Sequence, residues 1–148
     1  MELITKEIER RLLENGRTPD QDNRPVVKFF NPCGAATWLI SQADPEEPDI
    51  LFGLADLGFG CPEFGSVRLS ELRSVKGSLG LGIERDLYFE ARYPLSVYAE
   101  AARLAGSIVT ATRLLDDAAL RLGRLETPAS GESGGQAQDQ AAGPSDPE

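Results

Sequence analysis

The chain contains no histidine, and this absence excludes several common kinds of active site. Histidine is the usual general base and a frequent zinc ligand, so Ser-His and Cys-His nucleophile pairs and histidine metal sites are excluded. Two cysteines occur, Cys33 and Cys61, and their wide spacing predicts free thiols in a reducing compartment rather than a disulfide framework. The sequence therefore predicts no catalytic residue, no metal ligand and no cofactor.

Long apolar runs and basic charge are also scarce. Residues 1–7 do not resemble a signal peptide, and no apolar run is long enough to span a bilayer. The net charge is −9, and the 126–148 segment carries five of the 24 acids and no base. These features predict a cytoplasmic protein without a membrane partner, whose mildly acidic body disfavours broad nucleic-acid binding. The composition of 126–148 predicts a disordered acidic tail.

The patterns before residue 94 predict an α+β domain with a small, mostly antiparallel sheet. Thr5 is a predicted cap of an N-terminal helix that extends to about Glu14. A short helix capped by Ser70 is predicted before the last strand, and Gly58–Gly65 is interpreted as a glycine-rich connection. The first four predicted strands are Val26–Phe30, Ala36–Ala43, Ile50–Leu57 and Val67–Leu69.

Two loops have some features of ligand sites, but a plain turn is favoured for both. The acidic loop Asp44–Asp49 carries carboxylates that suit calcium or magnesium, but it lacks the spacing and the glycine of an EF-hand. The glycines of Gly77–Gly82 lack the Gly-Lys-Ser/Thr ending of a phosphate loop and do not lead directly into a helix.

The stretch Gly80–Glu90 is interpreted as the last strand of the sheet. Alternate side chains of a strand share a face, which gives one row of Ile83, Arg85, Leu87 and Phe89. An arginine in an apolar row needs a carboxylate or carbonyl partner. A structural ion pair is therefore favoured over the acid, base and anion clamp of a small carboxylate/arginine enzyme. The candidate polar cluster comprises Glu84, Arg85, Asp86 and Tyr88.

The segment 94–125 is predicted as a helical extension that follows a 1–93 domain. Its apolar residues alternate at spacings of four and three, which is a heptad-type stripe. One continuous helix would overhang the domain and would need a protein partner or a second copy. A break at Gly106-Ser107 would instead give a hairpin that packs on its own sheet, and both alternatives stay open. The candidate interaction residues are Val97, Leu104, Ile108, Leu115 and Leu122.

A basic face is predicted on the same segment. On one continuous helix, four arginines would share a narrow arc that suits a phosphate backbone. Asp117 lies in that arc at salt-bridge spacing from two of them, so a solvated, self-paired face is favoured over a nucleic-acid site. The candidate basic face comprises Arg103, Arg113, Arg121 and Arg124.

Five separated segments, taken in order, resemble one known family. They are Leu3–Glu9, Val27–Phe30 with Pro32 and Trp38, Phe52–Leu54, Ser70–Leu72 and Gly82–Phe89. Over about residues 1–98 the chain is similar to an uncharacterised bacterial family, domain of unknown function twenty-nine fifty-eight. The resemblance implies a single-domain cytosolic protein carried on plasmids, phages and integrative elements. It implies no established reaction and no catalytic residues.

The leading interpretation is a non-enzymatic accessory protein that binds a protein partner or itself through the C-terminal helix. This interpretation is based on the absence of a recognisable set of catalytic residues in the sequence and on the apolar stripe. A nucleic-acid-associated accessory and a small carboxylate/arginine enzyme are the two alternatives.

Overall fold

The computed structural model describes residues 2–77 and 79–123. Arg124 and the predicted tail at 126–148 lie outside the described residues. The elements in chain order are α1 (Lys6–Gly16), β1 (Val27–Phe30), β2 (Thr37–Ala43), β3 (Ile50–Asp56), β4 (Glu63–Arg68), α2 (Leu69–Ser74), β5 (Glu84–Arg85), α3 (Leu95–Ala105) and α4 (Thr112–Arg121).

The five strands form one antiparallel sheet in the order β4-β3-β2-β1-β5. Because alternate side chains of a strand point to opposite faces, the sheet supports two separate cores. On one face α1 and α2 bury Leu12 and Leu72 against Phe29, and on the other α3 and α4 pack around Leu39 and Leu54. The predicted α+β class, with its N-terminal helix and a short helix before the last strand, is confirmed.

The first helix begins and ends as local chemistry predicts. The Thr5 hydroxyl accepts a hydrogen bond from the Ile8 N–H at 3.1 Å, which is the expected N-cap. The helix ends at Gly16, where an added Cβ would lie 1.9 Å from the main-chain oxygen of Ala43. Glycine is therefore required for the close approach of α1 to the end of β2.

Helices α2 and α3 are both capped by an aspartate from a distant loop. Asp49 accepts hydrogen bonds from the Ser70 N–H at 2.9 Å and from its hydroxyl at 2.7 Å. Asp22 accepts the same pair of bonds from Ser96, with the N–H at 3.0 Å. These carboxylates lie at the positive ends of the two helix dipoles, which stabilises both helices. Asp49 of the acidic loop therefore serves as a helix cap.

Strand β4 corrects the predicted boundaries. It begins at Glu63, inside the stretch that we interpreted as a glycine-rich connection, and it pairs with β3 along its length. Leu69, predicted as strand, is the first residue of α2, so Ser70 is its second residue and not its N-cap. Pairing with a buried central strand outweighs the weak strand propensity of Gly65.

The predicted strand over Gly80–Glu90 is confirmed only at its middle. Only Glu84 and Arg85 are assigned as strand β5. The chain then turns at Asp86, whose carboxylate accepts a hydrogen bond from the Tyr88 N–H at 2.9 Å. The turn leaves the Tyr88 side chain 92% exposed, so the predicted apolar row ends before Leu87.

The C-terminal segment has the hairpin, not the single long helix. Gly106 ends α3 with φ of 81°, a left-handed conformation that glycine adopts without steric cost. Helix α4 packs against α3, and the Val97 and Leu115 side chains are buried in the core on the sheet. The division at residue 93 stays a prediction, although α3 and α4 share a hydrophobic core with Leu39.

Candidate interaction surface

The candidate polar cluster does not converge on one point. The Arg85 guanidinium donates to the main-chain oxygens of Glu2 at 2.9 Å and Leu3 at 3.2 Å. Asp86 instead pairs with Lys28, with 3.6 Å between the amine and the carboxylate oxygen. Neighbouring residues of an extended chain point to opposite sides, which separates the arginine from both acids. This arrangement anchors the N-terminal segment and β1 to β5.

The predicted helical stripe is divided between the core and the surface. Val97 and Leu115 are buried, and Ile108 packs at the margin of the same core. Leu104 and Leu122 are exposed. The stripe therefore contributes to the core at three positions and is exposed near the C-terminal end of each helix.

The predicted basic face is split between two helices. The Arg103 guanidinium pairs with Glu100 at 2.7 Å, which keeps the pKa of that carboxyl below its ordinary value. Arg121 lies on α4 and contributes to the same lowering of the Glu100 pKa. Arg113 is exposed at the start of α4. The arc calculated for one straight helix does not exist, because α3 ends at Gly106.

A separate polar network joins α4 to the segment before α3. The Tyr93 hydroxyl donates to Asp116, and the Arg92 guanidinium lies 3.4 Å from the same carboxylate. The hydrogen bond from Tyr93, followed by the bonds and charge of Arg92, lowers the pKa of Asp116. The bond to Asp116 and partial burial raise the pKa of the Tyr93 phenol. Both shifts keep the bridge intact near neutral pH, so this network is structural.

An apolar groove opens on the β4 side of the sheet, beside the loop that joins β3 to β4. It has a volume of about 400 Å³. We define the apolar groove by the residues of β2, β3, β4 and the hairpin loop that form its walls: Trp38, Ile40, Ala55, Leu57, Phe59 and Val67. The floor is formed by Gly53 of β3 and its cross-strand partner Gly65 of β4. Two adjacent residues without side chains leave a hollow where a sheet normally presents a packed layer.

The two floor glycines have different reasons to be glycine. A Cβ on Gly53 would lie 1.9 Å from the main-chain oxygen of Leu39, at the bulge where β2 departs from regular pairing after Ile40. Gly53 is therefore required by the fold. A Cβ on Gly65 would meet nothing within 4 Å. No packing within the described structure requires glycine at 65, and a side chain there would enter the groove.

The rim of the groove exposes aromatic and aliphatic side chains. Phe59 is 83% exposed, and it lies between Gly58 and Gly60, whose φ angles are 91° and 88°. Positive φ angles favour glycine, and the two residues turn the loop so that Phe59 projects outward. Leu57 is also more than half exposed, whereas the exposed Phe64 ring stacks on Phe52 on the opposite face of the sheet. Such a concentration of exposed apolar side chains is typical of a binding surface.

Asp56 positions this loop. Its side chain is buried, with 5% of its surface exposed, at the end of β3. One carboxylate oxygen accepts from the Gly58 N–H at 2.9 Å, and the other accepts from the Ile108 N–H at 2.9 Å. The hairpin loop and the connection between α3 and α4 are thus joined through one buried carboxylate. Charge-assisted bonds of this kind are stronger than neutral ones.

The groove adjoins the outer edge of the sheet, because β4 is the terminal strand. The Leu69 N–H donates to the Asp49 main-chain oxygen at 2.8 Å, in register with the β3–β4 ladder. Bonded pairs alternate along an antiparallel ladder, so the main-chain groups of Phe64, Ser66 and Arg68 point away from β3. The Arg68 N–H is accepted by the Glu71 carboxylate at 3.2 Å. Among the described residues, Phe64 and Ser66 therefore present an open edge.

Sequence reasoning missed this surface, since it treated Gly58–Gly65 as a connection. An available signal was the placement of aromatic residues, Phe59 and Phe64, among glycines and a proline. Aromatic side chains in a turn-rich segment have no predicted core to enter, which indicates exposure.

Together, these elements define a small α+β domain with an apolar groove beside the outer edge of its sheet. The chain matches the family described as Protein of unknown function (DUF2958) over residues 3–109, and it belongs to that family. Searches of curated proteins and of solved structures found no match. No helix in the described part of the chain is long and apolar enough to cross a membrane.

Proposed function

We propose that this protein is a non-enzymatic interaction protein whose partner, another protein, binds in the apolar groove. The observation that carries the proposal is the groove itself: a hollow over Gly53 and Gly65 with Phe59 exposed at its rim. Leaving a phenylalanine in water costs free energy that burial against a partner would recover, about 2–3 kcal/mol for a full side chain. The cytoplasmic location and the association with mobile elements stay part of this proposal.

The other two surfaces support a partner less well. The described part of the predicted helical stripe leaves Leu104 and Leu122 exposed, at the ends of separate helices. Self-association through them stays a proposal, and the groove is the better-supported surface. Nucleic-acid binding is disfavoured because the Arg103 charge is compensated by Glu100.

A random peptide library displayed on phage, selected against the full-length protein, tests the proposal. We expect enrichment of peptides that carry an aromatic or aliphatic anchor. Gly65→Val adds a side chain to the groove floor, where a Cβ meets no atom within 4 Å, and should lower the affinity of the selected peptides at least about tenfold.

Ser66→Val is the matched control. It adds the same side chain at the next position of the same strand, on the opposite face. It should leave the affinity within about threefold of the original. If selection enriches no peptide, or if both variants bind the selected peptides as the original does, the groove is not the binding site.

A further inference from the structure

We infer that the partner binds as an extended segment that adds to the open edge of β4 as a sixth strand, with apolar residues in its centre and basic residues at both ends. This inference rests on the proposed function, because it specifies the partner of the same groove. Two observations support it: the main-chain groups of β4 that point away from the sheet, and the charges at the two ends of that strand.

The main chain of β4 offers the bonds that strand addition requires. By the alternation of the ladder, Phe64 and Ser66 each direct one N–H and one carbonyl away from the sheet. An added strand would form up to four main-chain hydrogen bonds with these two residues. Its side chains would alternate between the two faces, so that every second one would lie toward the groove over Gly65.

The ends of β4 determine the charge of the partner. At the first end Glu63 is exposed, and no salt bridge to it occurs within the described residues. At the other end Arg68 contacts Glu47 at 2.8 Å and Asp49 at 3.6 Å, and its N–H bonds the Glu71 carboxylate at 3.2 Å, so three carboxylates surround one guanidinium. Both ends are therefore net negative.

This charge distribution distinguishes a basic segment from a second copy of the chain. An antiparallel pair of β4 strands would bring like net charges together at both ends, and the whole chain carries −9. A segment with a lysine or arginine at each end would face an excess carboxylate at each. Glu63 and Arg68 are five residues apart, which corresponds to about 17 Å of extended chain. The basic residues of the partner should have a similar separation.

The test uses synthetic peptides and the full-length protein. The main probe has lysine at both ends and alternating valine and threonine between them, and a second probe has glutamate in place of lysine. At low salt we expect the lysine peptide to bind several-fold more tightly than the glutamate peptide, and the difference should shrink as salt is added. Amide exchange at Phe64 and Ser66 should slow in the complex.

Main-chain pairing is tested with N-methylated forms of the lysine peptide. Two peptides carry the methyl groups on alternate sets of amides, so that only one set would face β4. We expect one methylated peptide to lose at least about tenfold in affinity and the other to bind nearly as the parent does. On the protein side, Ser66→Pro removes an outward N–H without breaking the β3–β4 ladder and should weaken binding, whereas Asp117→Ala on the exposed face of α4 should not.

The outcomes separate the inference from the proposed function. Equal binding of both methylated peptides, with Gly65→Val still blocking the selected peptides, would overturn strand addition and leave the groove as the binding site. Equal affinity of the lysine and glutamate peptides at low salt would overturn the charge requirement. A dimer in light scattering that Ser66→Pro dissociates would identify a second copy as the occupant and overturn the inference. Failure of the lysine peptide to bind the unmodified protein would also overturn it.

Discussion

Asp56→Ala is expected to destabilise the protein more than any substitution of an exposed acid. The Asp56 carboxylate is 5% exposed and accepts one main-chain hydrogen bond at 2.9 Å on each oxygen, from Gly58 and from Ile108. Alanine removes both acceptors and leaves two N–H groups without their protein partners. It also separates the hairpin loop from the connection between α3 and α4, so the loss affects both faces of the sheet.

The magnitude follows from the two bonds. A hydrogen bond to a charged group contributes about 1.5–3 kcal/mol, and a buried donor left without an acceptor costs about 1–3 kcal/mol. Ile108 is partly buried and Gly58 is exposed, so water can replace part of the loss at Gly58. We therefore expect Asp56→Ala to lower the free energy of unfolding by about 2–4 kcal/mol. Asp56→Asn keeps one acceptor oxygen and should cost about half as much.

Urea denaturation followed by circular dichroism and by Trp38 fluorescence measures this effect. The midpoint should fall while the dependence of unfolding free energy on urea stays the same, because the core itself is unchanged. Asp117→Ala on the exposed face of α4 is the control and should lie within about 0.5 kcal/mol of the original. A value for Asp56→Ala as small as that of the control would refute the assignment of Asp56 as a structural bridge.

Two further predictions concern the floor of the groove and a helix cap. Gly53→Ala should destabilise the protein by about 1–3 kcal/mol because its Cβ meets the Leu39 main chain, whereas Gly65→Ala should be neutral within about 0.5 kcal/mol in the same urea assay. The bonds from Ser70, and then the Arg68 charge, hold the pKa of Asp49 below its ordinary value. The stabilisation by ionised Asp49 is present above about pH 4 and is lost as the pH falls through its native pKa. Asp49→Asn should therefore flatten the acid part of the profile of stability against pH.

The elements that the sequence predicted well are those specified by local patterns. Thr5 caps α1 through a hydrogen bond from Ile8, three residues further along the chain. The hydrophobic runs of β1 to β3 have no competing interpretation. The α+β class follows from these elements and from the turn signals between them. A break at Gly106-Ser107 was one of the two predicted alternatives for the C-terminal segment. Gly106 ends α3 because glycine readily adopts positive φ.

The elements that were predicted wrongly depend on contacts between distant residues. Strand β4 has no apolar alternation, because the face that includes Glu63 and Gly65 borders an open groove rather than a core. Its strand conformation is imposed by β3, and that pairing is visible only in the folded chain. The predicted range of β5 was too long because Tyr88 and Phe89 have strong strand propensity, which the turn at Asp86 overrides.

The same dependence on distant contacts explains why the apolar groove could not be located from sequence. Gly53 and Gly65 form a hollow because they are opposite each other across two strands, and neither position is informative alone. The loop with Phe59 is held at the rim because Asp56 also binds Ile108, which lies 52 residues further along the chain. Weakening the hydrogen bonds of Asp56 should therefore also loosen the Phe59 loop at the rim of the groove. Asp56→Asn, which is expected to leave the protein folded, should therefore lower the affinity of groove-binding peptides, whereas Asp117→Ala should not.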